Sequence, residues 1–437
     1  MLTEIDRLDF IRDARPAEGL FAEKDWLVTP EPFAIEEKWR RELERLGHRI
    51  FVFQRACNQL YLQSVKGKQP AWVARYLDLG KPPELIEFSR RKEIRDALPR
   101  VIRPDLVLTD EGWTIAEVDS VPGGIGLTAW LNQTYAGLDE QVIGGAEGML
   151  EGFATVLPHG GDIVISQESA TYRPEMEWLV RQLNARFTER HWQVVAAENY
   201  QPQPGRDVYR FFELFDLPNI SGIEALLQAA GRGEVSISPP CKPFLEEKVW
   251  FAFFWLQPLR EFWRRELGDK YFRDLQRMIP YTWILDPTPL PQHAVIPRLE
   301  IQDFREAARF SQKERDLLLK VSGFSPLGWG SRGVSLGADL PHAEWERRIH
   351  EALANFEREP AILQQFHKGR LFDHPYWERE TRELKAMRGR VRLTPYYFVE
   401  PEKVMLRGAL ATICPPDKKL LHGMRDAILA PSRFAGR

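Results

Sequence analysis

The sequence predicts a mixed α+β protein, and three observations carry that expectation. From about residue 34 to residue 97 the chain is heavily charged and helical in its periodicity. An acidic hairpin follows at 103–119, where two apolar runs flank a turn signal. Between 158 and 242, strand-like and helix-like segments alternate, the pattern of a small α/β unit.

Taken in order, 34–46 reads as a charged amphipathic helix that opens the helical stretch. Leu106 to Leu108 is a short apolar run, Asp110, Glu111 and Gly112 are hairpin-turn residues, and 113–118 reads as the return strand. Helices are expected at 127–135 and 146–157. A fresh unit starts at Gly160 and Gly161, with strands at 162–166, 192–196 and 208–212 and helices at 173–187 and 223–230. Pro239 and Pro240 mark a boundary. Beyond it, helices are expected at 248–267, 312–318 and 343–358, and strands at 319–321, 361–365, 391–399 and 404–413. The expected domains are therefore 1–157, 158–242 and 243–437, with no internal repeat or low-complexity segment.

Composition narrows the function classes. The 60 basic and 63 acidic residues leave no general nucleic-acid footprint. No apolar run approaches a membrane span, and 249–256 is short and flanked by charge. The N-terminus has no basic n-region before an apolar stretch. Three isolated cysteines without CxxC spacing argue against a disulfide framework or a zinc site, so a cytoplasmic location is expected. No membrane or nucleic-acid partner is expected, and the oligomeric state is not readable.

The acidic hairpin is the first stretch that carries chemistry. An antiparallel pair would bring Asp105 opposite the end of the return strand, where Glu117 and Asp119, two apart, share a face. Carboxylates gathered on one patch repel unless a cation neutralises them, and hard oxygen ligands suit magnesium. The bland reading of the same residues is a solvated acidic edge.

The second stretch is 317–336. A short strand carrying Lys320 feeds a loop with Gly323, Gly328, Gly330 and Gly333. Glycines let backbone amides approach phosphate oxygens, and a lysine supplies a point charge. The string Gly328-x-Gly330-x-x-Gly333 matches a dinucleotide fingerprint, but a strand-like piece rather than a helix follows it. No Gly-Lys-Ser/Thr closes a P-loop, and the partner motifs of a protein kinase are missing. What is left is a glycine flap between two strands. Further on, Ile362 to Phe366 is a short apolar strand running into Gln364 and Gln365. It is either a core strand with solvent-facing amides or an edge that receives adenine.

Together, Lys320 with its glycine flap, the Ile362–Phe366 strand and the Glu117-x-Asp119 pair before Pro122-Gly-Gly124 resemble the ATP-grasp superfamily. The carboxylates precede the lysine by about two hundred residues, an order that resembles its circularly permuted branch. The likeness is closest to the synthetase domain of glutathionylspermidine synthase, through Arg103-x-Asp105, Glu117-x-Asp119, the 207–214 strand and the Lys248 block. It covers roughly 100–430; residues 1–95 match poorly.

The resemblance implies an α+β fold with a permuted ATP-grasp core and an inserted small α/β, pre-ATP-grasp-like domain near 158–242. It implies an ATP-dependent carboxylate–amine ligase, with ATP and Mg2+ as cofactors and a small-molecule carboxylate and amine as substrates. Asp105, Glu117 and Asp119 would hold magnesium, and Arg103 would neutralise the transferring phosphoryl group. Lys248 and Lys320 would contact phosphates under a flap of Gly328, Gly330, Ser331 and Gly333. Gln364, Gln365 and Phe366 would receive adenine. Arg392 would reach the acyl phosphate or pair with a surface acid. Removing Asp105 or Glu117 would abolish turnover and weaken magnesium binding with the fold intact. The chain departs from the family in having Asp119 where asparagine is usual and in lacking the flap glutamate. An ATP-binding regulatory or partner protein of the same fold is the alternative.

Overall fold

The computed structural model describes residues 2–16, 25–119, 121–138, 140–291, 294–328, 332–422 and 425–436. Its strands in chain order are β1 (Phe33–Ile35), β2 (Val101–Thr109), β3 (Gly112–Asp119), β4 (Gly160–Ile165), β5 (His191–Ala196), β6 (Val208–Phe211), β7 (Ile237–Ser238), β8 (Thr282–Ile284), β9 (Leu317–Val321), β10 (Val334–Leu336), β11 (Ala361–Gln365), β12 (Leu371–Glu378), β13 (Glu383–Val399), β14 (Val404–Cys414) and β15 (Ile428–Phe434). With the intervening helices they give the expected mixed α+β class. The chain divides into two compact units, Met1–Phe51 with Lys92–Pro240 and Lys368–Arg437, and Val52–Arg91 with Cys241–His367. These units are not three consecutive spans, because 52–91 folds with the second unit and 368–437 returns to the first.

The first unit holds two sheets. One runs β1-β15-β14-β13-β2-β3, with β12 paired to β13, and the other is β5-β4-β6-β7. All pairings of the smaller sheet are parallel, and its strands alternate with helices Arg173–Arg186 and Ile223–Gly231. These elements fall where the strand–helix alternation puts them. The helices Ile125–Ala136, Gly148–Val156 and Arg173–Arg186 share one core with both sheets. Leu131, Phe153 and Leu179 pack there with Ile163 and Phe211 from the parallel sheet and Phe398 and Leu410 from the large one.

The second unit centres on the sheet β10-β9-β11-β8, whose pairs are antiparallel. Period-two alternation sends Leu317, Leu319 and Leu363 into a core with Trp345, Ile349 and Leu353 of the helix His342–Ala354. Lys320, Ile362 and Gln364 therefore lie on the opposite face.

Three local expectations change. Residues 33–35 form β1 rather than the start of a helix, because Phe33 and Ile35 are buried on alternate positions beside β15 in a parallel pairing no local window reveals. The helix expected at 312–318 is a turn followed by β9, since pairing with β11 outweighs its helix-forming composition. The helix expected at 248–267 is interrupted around Pro258, between Val249–Trp255 and Arg260–Met278, and the latter run is broken at Gly268 (φ 72), so the expected end at 267 holds. β12 and β15 are not among the expected strands; both pair in the large sheet, β12 with β13 and β15 with β14 and β1.

β12 also carries a buried titratable group. His374 is hydrogen bonded to the Thr29 hydroxyl at 3.1 Å, and burial lowers its pKa from 6.5 to about 4, against a hydrogen bond to the Glu31 backbone carbonyl. The unfolded chain takes up this proton near pH 6.5 and the folded chain only near pH 4. The associated stability is fully present above pH 6.5 and falls as the pH drops toward 4, by up to about 3 kcal/mol. Urea denaturation at pH 7 and pH 4.5 should show this loss in the wild type and a smaller one in His374→Gln. Equal losses in both proteins would dismiss His374 as the cause.

Candidate functional site

In the first unit the acidic hairpin forms as its sequence suggests. Arg103 lies opposite Asp119 and Asp105 opposite Glu117. The register shifts between Asp105 and Leu106, which pairs with Ile115, so Ala116 is an extra residue on β3. A bulge of this kind re-aims the strand beyond it. Without it Glu117 and Asp119 would continue the face of Trp113 and Ile115; with it they share the face of Asp105.

Arginines reach these carboxylates. Arg103 donates from Nε to Asp105 Oδ1 at 3.1 Å, from Nη2 to Asp119 Oδ2 at 2.8 Å, and from Nη1 to the Gly123 carbonyl at 3.0 Å. Arg392, on β13 opposite Val107, donates from Nη1 to Asp105 Oδ2 at 3.1 Å. It is therefore paired with a buried acid rather than a surface one. Its Nε is buried with no hydrogen-bond partner among the described residues. Asp119 Oδ1 accepts from the Val121 amide at 2.9 Å.

Burial would lower the Arg103 pKa, but Asp105 and Asp119 hold it well above the ordinary value. The Asp119 carboxyl is raised, first by burial and then by Glu117 and Asp105, against the pull of Arg103. Among the described residues, two guanidiniums thus pair with Asp105 and Asp119. Among the described residues no group of three or more His, Cys, Asp or Glu is placed to hold a metal ion. Both oxygens of Asp105 accept from arginines and both of Asp119 accept hydrogen bonds, from Arg103 and the Val121 amide, and each carboxylate oxygen keeps a second lone pair with which a cation could be bound.

Sequence reading missed the groups that fix the glycine-rich exit. Tyr396 donates its hydroxyl to the Gly123 carbonyl at 2.8 Å. Gly124 has φ +82, and a Cβ there would meet the Tyr396 hydroxyl at 2.6 Å, so glycine is required on both counts. Glu175, 1% exposed, accepts from the Gly124 amide at 2.7 Å and the Leu127 amide at 3.3 Å. The first turn of Ile125–Ala136 is thereby capped by a carboxylate. Tyr172 and Tyr396 are each pushed up to about 12 by burial, Tyr172 further by Glu175. No spacing rule connects these side chains to the hairpin; only the folded core does.

In the second unit Lys320 and Gln364 come together. Lys320 Nζ donates to Gln364 Oε1 at 2.7 Å, and Gln364 Nε2 donates to the Thr282 hydroxyl at 3.2 Å. Gln364 is thus buried rather than solvent-facing, whereas Gln365 is exposed. The Gln365 and Phe366 amides donate to the Tyr281 and Asp316 carbonyls at 2.9 and 3.2 Å. Lys248 Nζ donates to the Ser322 and Gly328 carbonyls at 3.2 and 2.8 Å, at either end of the first part of the glycine loop. The Gly333 amide donates to the Leu327 carbonyl at 2.8 Å. The loop does lie between two antiparallel strands, β9 and β10. Gly330 and Ser331 lie outside the described residues.

The sequence matches no protein-family model and no curated protein. The fold is similar to that of a glutathione synthetase-like effector from Globodera pallida in its apo form, with TM-score 0.55 at 9% identity, covering 99% of this chain and 96% of that one. A candidate gamma-glutamylcysteine synthetase from Methylobacillus flagellatus aligns with TM-score 0.40 at 12% identity, over 84% of this chain and 87% of that one. The first likeness is one of fold. No helix among the described residues is long and apolar enough to cross a membrane.

Proposed function

We propose that this chain is an ATP-dependent carboxylate–amine ligase, with a circularly permuted ATP-grasp core and an inserted α/β domain formed by β4–β7 and their helices. The observation that carries the reading is the buried Lys320–Gln364 pair on the face next to a glycine loop held by Lys248. A buried ammonium and backbone amides of a glycine loop suit phosphate oxygens. The fold shared with a glutathione synthetase-like effector supports the same reading.

In this reading Lys248 and Lys320 bind the nucleotide phosphates under the loop of Gly328 to Gly333, and the Gln364–Phe366 end of β11 meets the base. Glu117 and Asp119 would hold magnesium, which supplies charge neutralisation at phosphate oxygens. Asp105 orients Arg103 and Arg392. A substrate carboxylate oxygen attacks the γ-phosphorus and ADP leaves; the amine then attacks the acyl carbon, phosphate leaves, and the nitrogen loses a proton. Arg103 answers the phosphoryl charge, and the spare Nε of Arg392 is the donor for the acyl phosphate.

The test is ADP release across pools of carboxylates and amines. The expected result is release that requires one of each, with Glu117→Gln lowering it about 100-fold or more at near-wild-type stability. ATP bound without substrate-dependent ADP release would sink the ligase reading. It would favour the second one, an ATP-binding regulatory protein of the same fold. A phosphorylated small molecule in place of free phosphate would indicate a kinase.

A further inference from the structure

The segment 52–91, for which the sequence offers no role, folds with the nucleotide-side strands and places a buried lysine against the root of the glycine loop. Lys81 Nζ lies 2.5 Å from Glu247 Oε1, and the two side chains are 0% and 2% exposed. The other oxygen of Glu247 accepts the Ser322 hydroxyl. Ser322 in turn accepts the Val249 amide on its hydroxyl at 3.1 Å and Lys248 Nζ on its carbonyl at 3.2 Å. The Ser322 amide donates to the Pro360 carbonyl at 2.9 Å, and Ser325 donates to Glu359. A Cβ on Gly323 would stand 2.9 Å from the Glu247 carboxylate carbon, so the loop can approach this closely only with glycine there.

A buried ion pair contributes little net stability but is costly to break, and it defines one geometry. We propose that Lys81 is a positioning residue: its pair with Glu247 fixes Ser322, and through the Ser322 carbonyl it fixes Lys248 and the loop root. This rests on the nucleotide-binding reading for its consequence, but not for its geometry.

Amide hydrogen exchange at Ser322 and Gly328 in the nucleotide-free protein tests the anchor. Lys81→Met and Ser322→Ala should each speed exchange there about tenfold or more, with β13 unchanged. Should Lys81→Met fail to fold, Ser322→Ala decides, since it keeps the buried pair and removes the hydroxyl that links Glu247 to Ser322, together with the acceptor of the Val249 amide. Wild-type exchange in the folded variants overturns the proposal. ATP titration tests the consequence: both variants should bind about tenfold more weakly, and wild-type affinity beside faster exchange would overturn the link to Lys248. A wild-type chain that binds no ATP overturns the nucleotide reading, while exchange still decides the anchor.

Discussion

Asp105→Ala is expected to destabilise the protein by about 3–5 kcal/mol, the range for removing one partner of a buried ion pair. Asp105 is 3% exposed and its two oxygens serve two arginines, Arg103 and Arg392. Truncation leaves both guanidiniums facing a void. Arg103 keeps Asp119 and the Gly123 carbonyl, whereas no other ion pair or hydrogen bond is seen for Arg392 among the described residues. Asp105→Asn should fare only partly better, because its amide must turn an NH2 group toward one of the arginines. Urea denaturation at pH 7 checks this, and a wild-type midpoint for Asp105→Ala would refute the pairing. The expectation drawn from sequence, that this substitution spares the fold, fails on this geometry. Glu117→Gln is the cleaner probe of chemistry.

That contrast shows what was legible in the chain and what was not. The hairpin could be read because its signal is local: a two-residue turn between apolar runs, with acids at fixed spacing. Lys320, the glycines after it, β11 and the 319–321 part of β9 were legible for the same reason. The bulge at Ala116 was not, because nothing in its residue type distinguishes it, and it is imposed by how β2 and β3 pair. Nor could the sequence show that an arginine 287 positions beyond Asp105 would neutralise it, or that Glu175 would cap a helix 51 residues earlier at Gly124. The role of 52–91 was hidden likewise, since Lys81 acquires meaning only from Glu247. Charge pattern in sequence finds the acids; only the fold says which cation answers each.

Lys320→Met should lower kcat/KM for ATP by about 100- to 1000-fold, the effect typical of removing one preorganised charged donor. Lys320 is 4% exposed and its ammonium is held at 2.7 Å by Gln364, itself fixed by Thr282, so its position does not depend on the nucleotide arriving. Methionine keeps the length and apolar stem while deleting the charge. The folded state should lose about 1–3 kcal/mol, because Gln364 Oε1 is left buried without its donor. Arginine is not a conservative substitute here: its planar fork is bulkier than the ammonium and overpacks the slot between β9 and β11. Thermal denaturation separates binding from folding. ATP at 100 times its dissociation constant should stabilise the wild type by about 2.7 kcal/mol, and the same concentration should leave the melting point of Lys320→Met almost unmoved. An equal ATP-induced shift in both proteins would mean that Lys320 serves the β9–β11 pairing alone, and the phosphate role would pass to Lys248.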